Sequence, residues 1–272
     1  MRKQSKIISL FLLYSRLISS ENQNTLQNSP LYYLNNLEQK PTENKKVDTP
    51  QIDLIKNLKL VLPCKGINVP KRTMRLPNAP RNYRNGIHKG IDFFSNWGTP
   101  VRSVADGIVI RSDLYYEEVP ADFRESVLES SSRVGKTPSD IFNSILLGQS
   151  VFIDHGFDLI KDYRVISIYA HLSHINSDIK PGRFIEAGEI FAKSGNSGVK
   201  ESTLGSRKGS HLHWELIMQK DHEEIFLGKG ISNPELYEIL SSICIRLSNR
   251  HNHAQRSRKT RHYCIKRGQG KR

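Results

Sequence analysis

From about Leu58 onward the chain is built of short apolar, β-branched and aromatic runs, most of them bounded by Gly, Pro, Asn, Asp or Ser. That rhythm is the signature of strands joined by tight turns. It begins at LKLVLPCKGINVP and continues through residues 90–94, 99–103, 107–111, 150–154, 165–171, 184–186, 190–194 and 211–218. The pattern predicts a mainly β, antiparallel, two-sheet sandwich-like domain over residues 58–240.

Residues 114–148 break the rhythm. Thr137-Pro-Ser-Asp140 offers an N-cap, a first-turn proline and an acidic residue three positions on. Ile141, Phe142, Ile145 and Leu146 then recur at helical spacing, and Phe123, Val127 and Leu128 mark a weaker helix before them. The expectation is a helical insertion between two strands. It either covers a sheet edge or forms a wall or lid over a site.

The flanks are of another kind. Residues 21–57 are rich in Asn, Gln, Lys and Pro without a sustained period, so they cannot bury enough apolar surface to offset the entropy of ordering. They read as a polar linker, with one helical turn around Ile52 and Ile55. Before it, Arg2, Lys3 and Lys6 precede an apolar run from Ile7 to Tyr14, followed by Ser19 and Ser20. Residues 1–20 therefore have the layout of an export signal or a short anchor, and the apolar run is too short to span a bilayer. Nine of the net +14 charges sit in the last 23 residues, which contain no Asp or Glu. This tail, residues 246–272, is expected to stay unfolded and to bind polyanions. No nucleic-acid fold accompanies the charge, so nucleic acid is the less favoured partner. Cys64, Cys244 and Cys264 are too few and too scattered for a disulfide framework or a CxxC metal site.

The candidate chemistry lies in three histidine-bearing segments. In Gly86-Ile-His88-Lys-Gly-Ile-Asp92, two residues four apart share one face of a regular strand. An imidazole and a carboxylate aimed together suit a divalent ion such as zinc. In His211-Leu-His213-Trp-Glu215-Leu the alternation is sharp, placing both histidines and Glu215 on one face and Leu212, Trp214 and Leu216 on the other. Two histidines so placed form a metal pincer or a surface pair. In Tyr169-Ala-His171-Leu the histidine ends an apolar run, and so should sit at a strand end. Glycine-bearing turns at Ala105-Asp-Gly107, Glu186-Ala-Gly188 and Ser194-Gly-Asn-Ser-Gly198 supply sharp reversals.

Taken in order, these segments resemble the lysostaphin-type, LytM-like family of zinc metallopeptidases that cut peptidoglycan. His88 to Asp92 matches the family's His-x3-Asp motif, and His211 to His213 matches its His-x-His motif. "YAHL", "GTPV", "ADGIV", "VFIDHG" and "SGNSG" match around them, over about 180 residues. The resemblance implies one zinc ion held by His88, Asp92 and His213, with His171 and His211 unligated beside it as base and stabiliser in either order. It implies peptidoglycan peptides as substrate, an exported protein, and an anionic wall or membrane surface as partner of the basic tail. Substrate-binding residues are not implied, and insertion 114–148 exceeds the family's usual loop. A silent binding module on the same fold is the alternative. A biotinyl-type carrier is disfavoured because no lysine sits in a suitable hairpin-tip motif.

Overall fold

The computed structural model describes residues 50–245. The export segment, residues 21–49 of the linker and the basic tail with Cys264 lie outside the described residues. Strands, in chain order, are β1 (Leu60–Val61), β2 (Pro80–Arg81), β3 (Gly86–Ile87), β4 (Ile91–Phe94), β5 (Pro100–Arg102), β6 (Gly107–Ser112) and β7 (Val151–Asp154). They continue as β8 (Arg164–Ala170), β9 (Leu172–Ile175), β10 (Phe184–Ile185), β11 (Ile190–Ser194), β12 (His211–Lys220), β13 (Glu223–Phe226) and β14 (Cys244–Ile245). Helices among the described residues include α1 (Pro50–Ile55), α2 (Ala121–Val134) and α3 (Glu235–Ile243).

The large sheet has seven strands in the order β10-β6-β7-β8-β12-β13, with β4 also paired to β12. A second sheet runs β5-β11-β9. All of these pairings are antiparallel. The main core lies between the sheets, with Val109, Ile153, Tyr169 and Trp214 on one side meeting Val101, Leu172 and Phe191 on the other. The mainly antiparallel β architecture is thus as the sequence pattern indicates. β8 and β12 are buried on both faces, the first along nearly its whole length, so β8 reads as a continuous apolar run rather than an alternation.

Several local expectations need correction. The folded part passes the 58–240 span at both ends, because β1 and β14 pair in parallel and bring Ile55, Ile243 and Cys244 into the core. Cys64 and Cys244 are buried free thiols. Thr137 does not cap a helix. Its hydroxyl donates to the Arg84 carbonyl, and the helix following it opens at Ser139. Phe123 faces solvent on α2, and the buried positions of that helix are Arg124 and Ser131. Ile145 and Leu146 are buried as their spacing indicates, but in one turn of π-helix, Phe142–Leu146. The strand expected over 165–171 stops at Ala170, because His171 adopts φ +57°, a left-handed conformation that turns the chain sharply into β9.

Candidate metal centre and its neighbours

β12 is the spine of the site. Its first half pairs with β4 so that His213 lies opposite Asp92 and His211 opposite Phe94. Its other edge pairs with β8, which sets His213 opposite Ala170 and delivers His171 one residue later. His88 reaches the same place from the loop after β3, where its backbone N–H donates to Ala79 and its carbonyl accepts from Asn78. Gly90 permits this crossing, since a Cβ there would lie 2.5 Å from the Trp214 carbonyl oxygen.

His88, Asp92 and His213 converge with one donor atom each, all buried and mutually within 4.8 Å. Asp92 Oδ1 lies 2.9 Å from His88 Nε2 and 2.8 Å from His213 Nδ1, and the two nitrogens are 3.1 Å apart. The outer nitrogens fix what these atoms are. His88 Nδ1 donates to the Leu76 carbonyl at 2.8 Å, and His213 Nε2 donates to Glu215 Oε1 at 2.8 Å. With each neutral ring's proton on its outer side, the inner atoms present three lone pairs to one point. Such a cluster repels itself unless a cation or a proton sits in it, and two imidazoles plus a carboxylate suit a transition-metal ion. The residues therefore fit a metal. Electrostatics agree. Burial alone would raise the Asp92 carboxyl, but His88 and His213 hold it well below the carboxylate range. Burial opposes charge on His213, yet Asp92 and then Glu215 outweigh it and lift the imidazole to about 9.

His171 and His211 stand beside the cluster, ring centroids 4.7 Å apart and nearly perpendicular. His211 Nδ1 donates to the Gly209 carbonyl at 2.6 Å, and His171 Nδ1 to the Ser197 carbonyl at 2.7 Å. Both Nε2 atoms are therefore free of protons while the rings are neutral. Burial pushes both imidazoles down, and the neighbouring His211 and His213 push His171 further. All five residues singled out from the sequence are thus brought together, and His211 stands just outside the three-atom cluster, its Nε2 3.8 Å from Asp92 Oδ1.

Four supporting groups carried no role in the sequence reading. Arg81 Nη2 donates at 2.8 Å to Asp92 Oδ2, leaving Oδ1 for the cluster. Glu215 fixes the His213 ring; its place two residues on, on the same strand face, was the signal that could have found it. The insertion supplies the other two. Glu118 accepts from the Gly198 N–H at 2.9 Å, and the buried Arg124 donates to the Gly198 carbonyl at 3.1 Å. They clamp the turn whose Ser197 carbonyl holds His171. The pivot at His171 is pinned from the same direction, its N–H donating to Leu147 and that of Leu172 to Gln149. Insertion 114–148 thus buttresses one side of the site.

Residues 132–225 match the model of peptidase family M23. That segment of the chain is similar to an M23 peptidase domain. It is 30% identical over 128 residues to an uncharacterized metalloprotease of Haemophilus influenzae, covering 47% of this chain and 18% of that protein. It is 24% identical over 139 residues to lysostaphin of Staphylococcus staphylolyticus, covering 51% of this chain and 20% of that one. The chain therefore aligns with about a fifth of each of these relatives. Among solved structures, the catalytic domain of lysostaphin from Staphylococcus simulans is 19% identical with TM-score 0.31, over 62% of this chain and 88% of that one. A zinc-containing peptidase from Vibrio cholerae is 21% identical with TM-score 0.32, over 62% and 36%. A metal is what an M23 peptidase domain implies, and His88, Asp92 and His213 form a donor set able to hold one.

Proposed function

We propose that the chain is an exported zinc endopeptidase that hydrolyses peptide cross-links of bacterial peptidoglycan, with one zinc ion held by His88, Asp92 and His213. The observation that carries this reading is the convergence of one donor atom each from His88, Asp92 and His213, beside two buried imidazoles whose Nδ1 atoms are committed to backbone carbonyls. The M23 match and the likeness to lysostaphin support the substrate class. Export by segment 1–20 and contact of the basic tail with the anionic wall belong to the same reading.

Zinc, when bound, would lower the pKa of water toward about 7 and polarise the scissile carbonyl. The chain's part is to move protons and hold geometry. His211 Nε2 takes a proton from the attacking water, its Nδ1–H kept in place by Gly209. The resulting imidazolium can deliver that proton to the leaving amine. His171 is neutral with its Nδ1–H committed to Ser197, so its bare Nε2 can accept a hydrogen bond from the attacking water and orient it. Burial of both rings keeps them neutral, as proton acceptors must be.

Purified full-length chain digesting defined muropeptides, with and without chelator, tests this directly, with products identified by mass spectrometry. Cleavage should cease on chelation and return with zinc, and His171→Ala and His211→Ala should each abolish it while retaining metal. Zinc binding without cleavage would instead mark a silent wall-binding module, and cleavage surviving chelation would refute the metal mechanism.

A further inference from the structure

We propose that the surface beside His211 selects acidic peptides, with Arg75 and Arg207 as the residues that grip substrate carboxylates. This rests on the peptidase reading above and adds the class of peptide to it. Two stacked pairs carry the inference. The Arg75 guanidinium lies 3.9 Å over the ring of Phe94, and the other partner of that ring is His211, stacked at 4.9 Å and 10°. Arg75, Phe94 and His211 form one column that ends on a proton-transfer group. Three residues further on, the Arg207 guanidinium lies 4.0 Å over the ring of Trp97.

Both rings come from the end and the exit of β4, the strand that carries Asp92, and both are partly exposed, at 40% and 42%. The guanidiniums arrive from opposite neighbours in sequence, one from the turn Thr73–Arg75 and one from the loop leading into β12. Among the described residues neither guanidinium has a carboxylate within 4 Å or a hydrogen-bonded side-chain partner. A guanidinium laid on an aromatic face is held in orientation while its N–H edge stays open, which is the geometry for a carboxylate.

The charge of the wall points the same way. Between Val69 and Asp92 the chain carries six Lys and Arg residues and no acid. Two of the six are spent internally, Arg81 on Asp92 and Arg84 on the Ile87 carbonyl and the Phe142 ring. The segment therefore presents a positive face that no acidic neighbour in sequence offsets. On the other wall, Lys200 is paired with Glu125 at 3.3 Å, whereas Arg207 has only the tryptophan ring. A peptide bearing free carboxylates near its scissile bond would find two open guanidiniums beside the end of β4. A polyglycine bridge would meet neither.

Three probes decide the matter with the zinc-loaded full chain: a cross-linked muropeptide dimer with free carboxylates, the same dimer amidated, and a pentaglycine peptide. Cleavage is followed by mass spectrometry and binding by tryptophan fluorescence, since Trp97 is exposed and the second tryptophan, Trp214, is buried. The acidic dimer should have a KM about tenfold or more below the amidated one, as expected of a charge-assisted contact. Arg75→Gln and Arg207→Gln should remove that preference by raising the KM of the acidic dimer to that of the amidated one; Arg75→Lys should restore part of it. Equal KM for both dimers, or a preference for pentaglycine that the substitutions do not touch, would overturn the inference and leave the peptidase reading standing. If no probe is cleaved the peptidase reading fails, and selective quenching by the acidic dimer, abolished by the same substitutions, still decides the inference.

Discussion

Glu215 is the residue whose removal tests most sharply how the metal site is built. It is 2% exposed, and its Oε1 accepts the His213 Nε2–H at 2.8 Å. That bond holds the ring so that Nδ1 faces the cluster and adds negative charge behind a ligand that must donate electron density. Burial would raise this carboxyl, but the bond to His213 outweighs it, so Glu215 is ionised. Glu215→Gln keeps the shape and an acceptor oxygen but loses the charge; the site loses a charge-assisted bond and keeps a neutral one, about 1.5 kcal/mol or somewhat more. Partners of this kind affect metal affinity by about 10–100-fold. A second effect opposes the first. Without metal, the pull of Asp92 and Glu215 keeps a proton on His213 up to about pH 9, and metal must displace it. Wild-type affinity should therefore rise with pH between 7 and 9 and level off above. Removing the Glu215 charge loosens metal and competing proton alike, so the deficit should be small at pH 7 and full above pH 9. Competition against a fluorescent chelator in chelator-buffered zinc, at pH 7 and 9.5, measures both. A Glu215→Gln protein binding zinc as tightly as wild type at pH 9.5 would refute the argument.

Two further substitutions probe the support of His171. Arg124→Ala removes a buried guanidinium from the Gly198 carbonyl and should lower kcat about tenfold or more while zinc affinity and KM hold; a shifted His171 imidazole resonance in NMR would place the cause. Unchanged kcat would reduce the insertion to mere cover. Gly148→Ala is a harsher test, because Gly148 has φ +61° and a Cβ there would lie 2.3 Å from the Ser197 backbone. It should cost about 1–3 kcal/mol in urea unfolding and nearly all activity, since the peptide that must move is the one holding His171.

What the sequence shows and what it hides divide along a physical line. Strand alternation is local, so His211, His213 and Glu215 could be placed on one face of β12 from six residues of text, and the structure puts all three there. His88 and Asp92 are also close in sequence, but not by the shared strand face their spacing suggests: His88 lies in the loop after β3, and the glycine between them marks where the chain must pass close to Trp214. Arg81 escapes this logic. It lies eleven residues before its carboxylate, across a turn whose path the residues between do not dictate, in a stretch where basic side chains are common. The insertion shows the same limit more strongly. Hydrophobic period finds the buried face of the Phe142 turn, because apolar burial leaves a repeating mark. It misassigns α2, whose anchoring face is polar, with Arg124 reaching 74 residues along the chain to Gly198. A charged side chain that is buried because it serves a distant backbone group looks, in sequence, like one that is solvated. The choice between cover and functional wall therefore turns on hydrogen bonds of long sequence separation, and those that Arg124 and Glu118 make end on the turn that orients His171.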